Sequence, residues 1–319
     1  MKKFKVLPLL LVAPLLTSCG KSYKAPKFAK LGDSVAPETW NEKFNEAMNT
    51  VKVFPTGEEK YKSLVAVDDG GSQNDISVKR GKNVVESYSD YYKYKTTYKY
   101  DSANLLFESA GKSESVTSEK NSSGMKSDTK SKTNSLSMKQ VAKVEDKYHI
   151  VTVDEKLKSY TSYVETTEET KVDAFNSMLA MNVGLPFLSI GLVYALYELQ
   201  DEETKKDYTF YQNDKVFSVE ILHKEENKEY KVADEVKYVT NETKLTRMQA
   251  QVISESKVKL VSYEETKTTQ TYSVDYGDYY KGDVYERVYK TGFSYELELK
   301  DVSLKAVDLS DYARLGTAW

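Results

Sequence analysis

Few side chains in this sequence have the types and spacing that catalysis requires. The chain has one cysteine, Cys19, and two histidines, His149 and His223. A histidine acts as a metal ligand when further ligands stand at a defined spacing, and no His-x-x-x-His arrangement is present. The sequence also lacks a Gly-x-Ser-x-Gly nucleophile motif and a phosphate-binding glycine loop. It therefore predicts a protein that is not an enzyme and that uses no metal and no cofactor.

Two acidic, glycine-containing segments are candidates for binding. Residues 68–75 concentrate Asp, Asn and Gly as calcium loops do, but they lack the EF-hand ligand order, and a turn between strands explains them as well. Residues 275–283 combine acids, tyrosines and glycines, which suits a sugar or a peptide, although a plain hairpin loop has the same composition. The candidate partner residues in this second loop are Asp275, Tyr276, Asp278, Tyr279, Tyr280 and Asp283.

The surroundings of Cys19 predict an N-terminal signal segment. Residues 1–5 are basic, residues 6–16 are apolar, and Leu16-Thr17-Ser18 leads directly to Cys19. The apolar run has the length of a signal peptide and is too short to span a bilayer. This order resembles the lipobox of bacterial lipoproteins, whose cysteine receives diacylglycerol on its sulfur and becomes the first residue of the mature chain. The resemblance implies a signal peptide at 1–18 and an extracytoplasmic protein anchored to the cell membrane through acylated Cys19.

The segment after the cysteine, residues 19–33, is expected to be a lipidated, flexible tether. Lys21, Lys24, Lys27 and Lys30 recur every three residues, which suits contact with anionic headgroups but also a solvated linker. The full chain has a net charge of −3, and loss of the signal lysines makes the mature chain more negative. This charge argues against a nucleic-acid partner. Because Cys19 is the sole cysteine, no internal disulfide can form.

The pattern of apolar residues predicts one leading helix and many strands. Over residues 36–48, Trp40, Phe44, Ala47 and Met48 share one helical face. The period then becomes two, and the even-numbered tyrosines from 88 to 100 share one face of a strand, as a binding platform or as packing. Residues 110–135 are polar and are either a flexible loop or a long hairpin. Further strands are predicted at 148–153, 159–164, 215–221, 229–240, 245–262, 266–276, 285–289 and 293–299.

One apolar segment interrupts the strand pattern. No charged residue occurs from 174 to 197, and Gly184 and Pro186 predict two short helices over 172–183 and 185–200. Three interpretations remain open for this helical pair: helices packed on the sheet, a surface that faces lipid or a partner, and a membrane span. A membrane span is the least favoured of the three, because it would place the C-terminal strands on the opposite side of the membrane from the anchor and divide one continuous β pattern.

We therefore predict a single α+β domain over residues 34–319. It is mainly antiparallel β, with a curved, half-barrel-like sheet that carries the N-terminal helix and the helical pair on one face. In layout it resembles the LolA-type lipoprotein carriers, in which helices cover a curved antiparallel sheet and the space between them holds acyl chains. That resemblance places Trp40, Phe44 and Leu179 between helices and sheet, together with the proposed ligand-binding residues Met178, Met181, Leu185, Phe187, Leu188, Ile190 and Leu192.

Two functions of different classes follow. The first is a carrier or sensor that binds a lipid or acyl chain between the helices and the sheet. The second is a surface interaction protein that contacts an unknown protein or glycan partner through its exposed sheet or its tyrosine-rich loops. The chain also resembles, in style, the surface lipoproteins of low-GC bacteria and mollicutes, a likeness that implies location rather than activity.

Overall fold

Long strands make up most of the computed structural model, which describes residues 23–55, 60–183, 185–200 and 206–317. The strands are β1 (Asp33–Val35), β2 (Leu64–Arg80), β3 (Asn83–Asp101), β4 (Leu106–Lys120), β5 (Lys126–Val144), β6 (Lys147–Asp154), β7 (Ser159–Thr166), β8 (Asp207–Asn213), β9 (Val216–Val232), β10 (Glu235–Ser254), β11 (Lys257–Tyr272), β12 (Asp283–Leu299) and β13 (Ala313–Thr317). The helices are α1 (Pro37–Asn49), α2 (Lys171–Val183), α3 (Leu185–Gly191) and α4 (Val193–Glu198).

All thirteen strands belong to one open, curved sheet, in the order β1-β8-β9-β10-β11-β12-β2-β3-β4-β5-β6-β7-β13. Two antiparallel meanders, β2–β7 and β8–β12, are joined where β12 pairs with β2. The edge strand β13 runs parallel to β7, and every other pairing is antiparallel. The predicted mainly antiparallel, curved sheet is confirmed.

The first meander follows the sequence pattern closely. The tyrosine-rich strand is β3, and the segments 148–153 and 159–164 lie in β6 and β7. Residues 110–135 form the polar hairpin of β4 and β5, which turns at Asn121 with a hydrogen bond from Gly124 N to its carbonyl oxygen. Of the two predictions for this segment, the structure therefore shows the long hairpin and not the flexible loop.

The second meander differs from the prediction at its turns. The predicted strand 229–240 is divided by a two-residue turn at Ala233 and Asp234, which both have positive φ. Such turns usually contain glycine or asparagine, and the alanine here gives no signal. The predicted strand 245–262 is likewise divided at residues 255–256, whereas 285–289 and 293–299 merge into β12.

The helices cover one face of the sheet, which we call the inner face. Helix α1 begins at Pro37, next to the N-cap residue Ala36, close to the start predicted from the sequence. Its Trp40 stacks on Phe44 with ring centroids 5.0 Å apart and meets Phe210 of β8 at 5.3 Å. Burial of these rings against the sheet is the main force that docks α1.

The face opposite the helices, which we call the outer face, is crossed by the two ends of the described chain. Residues 23–32, the N-terminal strap, run from β2 to β8: the Tyr23 amide donates to Gln73 Oε1 at 2.8 Å, and Gly32 lies against Gln212. Residues 300–312, the C-terminal strap, cross the other half of the sheet and pack on Val151 and Val153. The predicted flexible tether is therefore replaced, from Tyr23 onward, by a segment packed on the sheet.

Each strap is fixed by one buried glutamine of the outer face. Gln249 accepts a hydrogen bond from the Ala29 amide at 2.7 Å and donates to the Ala29 carbonyl at 3.2 Å. Gln140 makes the same pair of bonds with Val307, both at 2.8 Å. Each glutamine side chain thus satisfies the N–H and C=O of one strap residue. A neighbouring strand would normally pair with these backbone groups, and without a partner they would be buried unsatisfied.

Replacing Gln249 or Gln140 by alanine is expected to lower the free energy of unfolding by about 1–3 kcal/mol, because buried backbone groups of the strap lose their partners. Urea denaturation measures this loss. Gln270→Ala, on the inner face of β11, is the control and is expected to change stability by no more than about 0.5 kcal/mol. An equal loss in the control would contradict the role assigned to the strap glutamines.

Candidate functional site

The two histidines do not form a catalytic or metal centre with the residues that the structure describes. His149 is buried, and its Nδ1 lies 2.7 Å from the hydroxyl of buried Ser162, so this pair is satisfied in the interior and closed to a substrate. His223 lies near a carboxylate, with its Nε2 3.9 Å from Glu225 Oε1. Over the described ranges, no group of three His, Cys, Asp or Glu side chains converges.

The candidate calcium segment 68–75 is not a loop. It lies within β2, which pairs with β3 on one side and β12 on the other. Successive side chains of a strand alternate between faces, so Asp68 and Asp69 point to opposite sides and the oxygen ligands do not converge. The glycines serve close packing instead: a Cβ on Gly70 would meet the Tyr94 hydroxyl at 2.8 Å, and one on Gly71 would meet the Tyr23 ring at 3.2 Å.

The tyrosine-rich loop at 275–283 is held largely by contacts with the neighbouring strands β2 and β11. Asp283 is buried and accepts two hydrogen bonds from the Arg80 guanidinium, at 2.8 and 2.9 Å, which hold the pKa of its carboxyl below the usual value. Tyr279 stacks on Tyr272 at 4.4 Å. Of the predicted partner residues, Asp283 and Tyr279 are thus occupied by contacts with β2 and β11. The exposed ones are Asp275, Tyr276, Asp278 and Tyr280, and Asp275 accepts a hydrogen bond from the Lys281 amide at 2.7 Å.

The even-numbered tyrosines of β3 are divided between two environments. Tyr100 is buried and stacks on Phe175 of α2, so packing explains this end of the row. Tyr94 lies beyond the helices and donates a hydrogen bond to Asp68 at 3.2 Å, and burial raises the pKa of that carboxyl. Tyr92 is 39% exposed and Tyr88, Tyr94 and Tyr98 are half-buried, so the row is not a uniformly exposed aromatic platform.

The central apolar segment forms three short helices rather than two. Helix α2 ends at Val183 and α3 begins at Leu185, as predicted, but a turn at Leu192 separates α3 from α4. No single described helix is long and apolar enough to cross a membrane, although the bent pair Lys171–Met181 and Pro186–Glu198, with an angle of 58°, passes the same test by length and composition.

These helices have an apolar face on each side. The buried side packs on the sheet through Phe175, Leu179 and Phe187, and Phe187 meets Tyr295 of β12 with ring centroids 5.9 Å apart. The seven predicted ligand residues do not share one surface. Met178, Phe187 and Ile190 are buried, Met181, Leu188 and Leu192 are more than half exposed, and the side chain of Leu185 lies outside the described residues.

The exposed side carries a row of leucines that the sequence analysis did not separate from the core. Leu188, Leu192, Leu196 and Leu199 stand at i, i+4, i+8 and i+11, and each is more than half exposed. The amide of Leu192 bonds to the Leu188 carbonyl at 3.0 Å and that of Leu196 to the Leu192 carbonyl at 2.9 Å. Helical hydrogen bonding therefore continues through the turn and keeps the leucines on one line. We call these four side chains the leucine row.

One buried polar atom lies on the other side of the same helices. The Tyr295 hydroxyl has no hydrogen-bond partner among the described residues, and Tyr295 is 1% exposed. Burial raises the pKa of this phenol, and the nearby phenol of Tyr98 and the Asp68 carboxylate raise it further. A buried donor without a partner is rare, so this atom marks a place where a polar ligand atom would be stabilised.

An open groove of about 780 Å³ lies on the outer face, between the N-terminal strap and strands β2–β4. Its lining is polar and of mixed charge and includes Tyr23, Lys24, Lys27, Asp69, Lys93 and Glu114.

Comparison with known proteins adds little to this geometry. No protein-family model and no curated protein matches the sequence. Similar solved structures include the outer membrane protease OmpT from Escherichia coli (9% identity, 79% of this chain and 100% of that chain, TM-score 0.23). They also include OccK7 (OpdD) from Pseudomonas aeruginosa (8%, 75% and 100%, TM-score 0.22) and a Pseudomonas aeruginosa FadL homologue (8%, 85% and 99%, TM-score 0.16). Scores this low carry no argument about this chain.

Proposed function

We propose that this protein is an extracytoplasmic lipoprotein, held at the cell membrane by acylated Cys19, that binds an acyl chain on α2–α4 and catalyses no reaction. The lipobox-like sequence before Cys19 supports the anchor. The single observation that carries the binding function is the leucine row, because contiguous exposed apolar side chains of this size mark interaction surfaces in soluble domains.

The chemistry of the row favours an aliphatic ligand. Met181 is exposed near the end of the preceding helix α2, and its flexible thioether adapts to an irregular apolar chain. No charged residue occurs between 174 and 197, so this surface offers few partners to a sugar or a charged peptide. A helix that is apolar on all sides is stable in water only when both sides are covered.

The space between α3 and the sheet is a second position for the same ligand. The unpartnered Tyr295 hydroxyl favours it, since a carboxyl or ester group would supply the missing hydrogen bond. Binding there requires Phe187 to move, because its ring now lies against Tyr295.

A surface interaction protein is the alternative function. The observation in its favour is the exposure of Tyr276 and Tyr280 beside exposed Asp275 and Asp278, at the end of the sheet remote from the helices. Tyr280 already contacts Arg80, which lies 4.2 Å from its ring centroid, so this ring is presented in a fixed orientation.

Photolabelling with a diazirine-bearing fatty acid, followed by peptide mass spectrometry, tests the binding function. Labels on Met181 and the leucine row are the expected result. Labels on Phe187 and Tyr295 would move the ligand to the space between helices and sheet. Label scattered over the chain in proportion to exposure, including exposed Leu136 of β5, would contradict acyl binding and favour the interaction protein.

A further inference from the structure

We propose that the outer face of the sheet lies against the membrane and binds anionic lipid headgroups, so that α2–α4 face away from the bilayer. This orientation rests on the proposed acylation of Cys19. Two independent features support it: the point at which the tether leaves the sheet, and the side of the sheet on which the lysines lie.

The described part of the N-terminal strap begins, at Tyr23, in the middle of the outer face. Tyr23 is held there by its bond to Gln73, and a Cβ on Gly292 would meet the Tyr23 hydroxyl at 2.8 Å and Pro26 at 3.2 Å. Glycine at 71 and 292 thus provides the space in which the strap is seated.

The chain between Cys19 and Tyr23 is too short to pass an edge of the sheet. Four residue steps span at most about 14 Å. At the level of Gly71, three strands (β3–β5) lie on one side of β2 and five on the other. At about 4.8 Å per strand, the two edges of the sheet are therefore about 14 and 24 Å from Gly71. Along β2, the strand ends are seven and nine residues from Gly71, about 23 and 30 Å away. Cys19 can therefore come level with the β5 edge but cannot pass round it, so its acyl chains would enter the bilayer from the outer side of the sheet.

The lysines of this half of the sheet lie on the same face. On β5, residues 126–137 alternate, and every charged side chain faces outward while every inward one is Ser or Thr. The partner strands continue this pattern, because Lys112 and Lys93 lie in register with β5 on the outer face. The outward lysines of β3–β5 are Lys93, Lys95, Lys99, Lys112, Lys120, Lys126, Lys130 and Lys132, against the carboxylates Asp101, Glu108, Glu114 and Asp128.

The strap adds to this basic surface. Lys24, Lys27 and Lys30 of the strap are exposed. Within this basic surface Lys95 pairs with Asp69 at 3.5 Å and Lys99 with Glu108 at 2.7 Å, and on the neighbouring half of the outer face Glu220 lies 2.6 Å from Arg247. A chain of negative net charge thus presents a basic face where its tether emerges, which complements an anionic membrane.

The test uses the full-length lipoprotein inserted by its own acyl chains into vesicles of phosphatidylglycerol and phosphatidylcholine that carry a headgroup quencher. Lys132→Cys and Ser131→Cys, exposed neighbours on opposite faces of β5, each take a thiol-reactive fluorophore. We expect quenching several times stronger for the label at 132 than for the label at 131. In vesicles of phosphatidylcholine alone the difference should shrink.

Equal quenching, or stronger quenching at 131, would overturn the orientation, and a difference unaffected by lipid charge would overturn the role of anionic headgroups. The intact mass of the same preparation separates this failure from failure of the anchor. An acylated protein with the wrong face toward the lipid leaves the proposed function standing, whereas a protein without acyl chains that stays in solution overturns both.

Discussion

Exchange of Leu188 and Leu192 for glutamate together is expected to weaken acyl-chain binding about 100-fold or more. Each leucine contributes roughly 1.5–3 kcal/mol when a ligand buries it, and 1.4 kcal/mol corresponds to a factor of ten in affinity. The introduced carboxylates would in addition lose hydration beneath an aliphatic chain. Binding of a fluorescent fatty acid to the detergent-solubilised lipoprotein measures the change.

The fold should tolerate this double exchange, because both side chains are more than half exposed. Substitutions at exposed positions usually change the free energy of unfolding by no more than about 0.5 kcal/mol. Leu136→Glu with Leu157→Glu provides the matched control, since these two exposed leucines lie on the strands and the β6–β7 turn. Undiminished binding after exchange of the leucine row, or an equal loss in the control, would exclude α2–α4 as the binding surface.

Replacement of Trp40 by alanine is expected to have the largest effect on stability, a loss of about 3–5 kcal/mol in the free energy of unfolding. Trp40 is fully buried, and its ring lies 5.0 Å from that of Phe44, 5.3 Å from Phe210 and 6.1 Å from Phe217. Removing the indole leaves a cavity between α1 and strands β8 and β9, which the strands cannot fill without moving. Urea denaturation followed by far-UV circular dichroism measures the loss.

A Trp40→Phe variant separates packing from hydrogen bonding. It keeps an aromatic ring and removes an indole N–H that has no partner among the described residues, so its loss should be smaller than that of alanine. Leu157→Ala, at an exposed turn, should be near neutral. An alanine variant at position 40 that unfolds at the wild-type urea concentration would show that α1 does not depend on this cluster.

Periodicity predicted the architecture because each strand alternates between a covered and a solvated face. The helix at Trp40, the tyrosine-rich strand and the mainly antiparallel sheet all follow from this pattern. Periodicity did not locate every turn. Ala233 and Asp234 adopt positive φ without a glycine, so the alternating pattern runs on through a position at which the chain reverses direction. Residues 68–75 show the converse, because their glycines serve close packing within a strand and not a turn.

The straps and the leucine row depend on contacts that local sequence does not encode. Lysine-rich residues 23–32 have the composition of a tether, and what holds them is a pair of bonds to Gln249, 220 positions away. In the central helices, hydrophobicity identified the segment, but only the packing on the sheet separates buried Phe187 from exposed Leu188. The spacing of Leu188, Leu192, Leu196 and Leu199 was the available signal for the exposed side.

The orientation and the binding surface fit together. If the outer face lies on the membrane, the leucine row faces away from it and takes its ligand from the extracytoplasmic side, on the opposite side of the sheet from the anchor. The buried face of the same helices keeps the row attached to the sheet, and the N-terminal strap connects the sheet to the segment that we propose is acylated.

Intact-mass analysis of the protein isolated from its native host tests the central claim, membrane anchoring through Cys19, most directly. The account predicts a chain that begins at Cys19 and carries the added mass of a diacylglyceryl group, with residues 1–18 removed. A mature chain with an unmodified Cys19, or one cut at another residue, would contradict the anchor and with it the orientation of the sheet on the membrane.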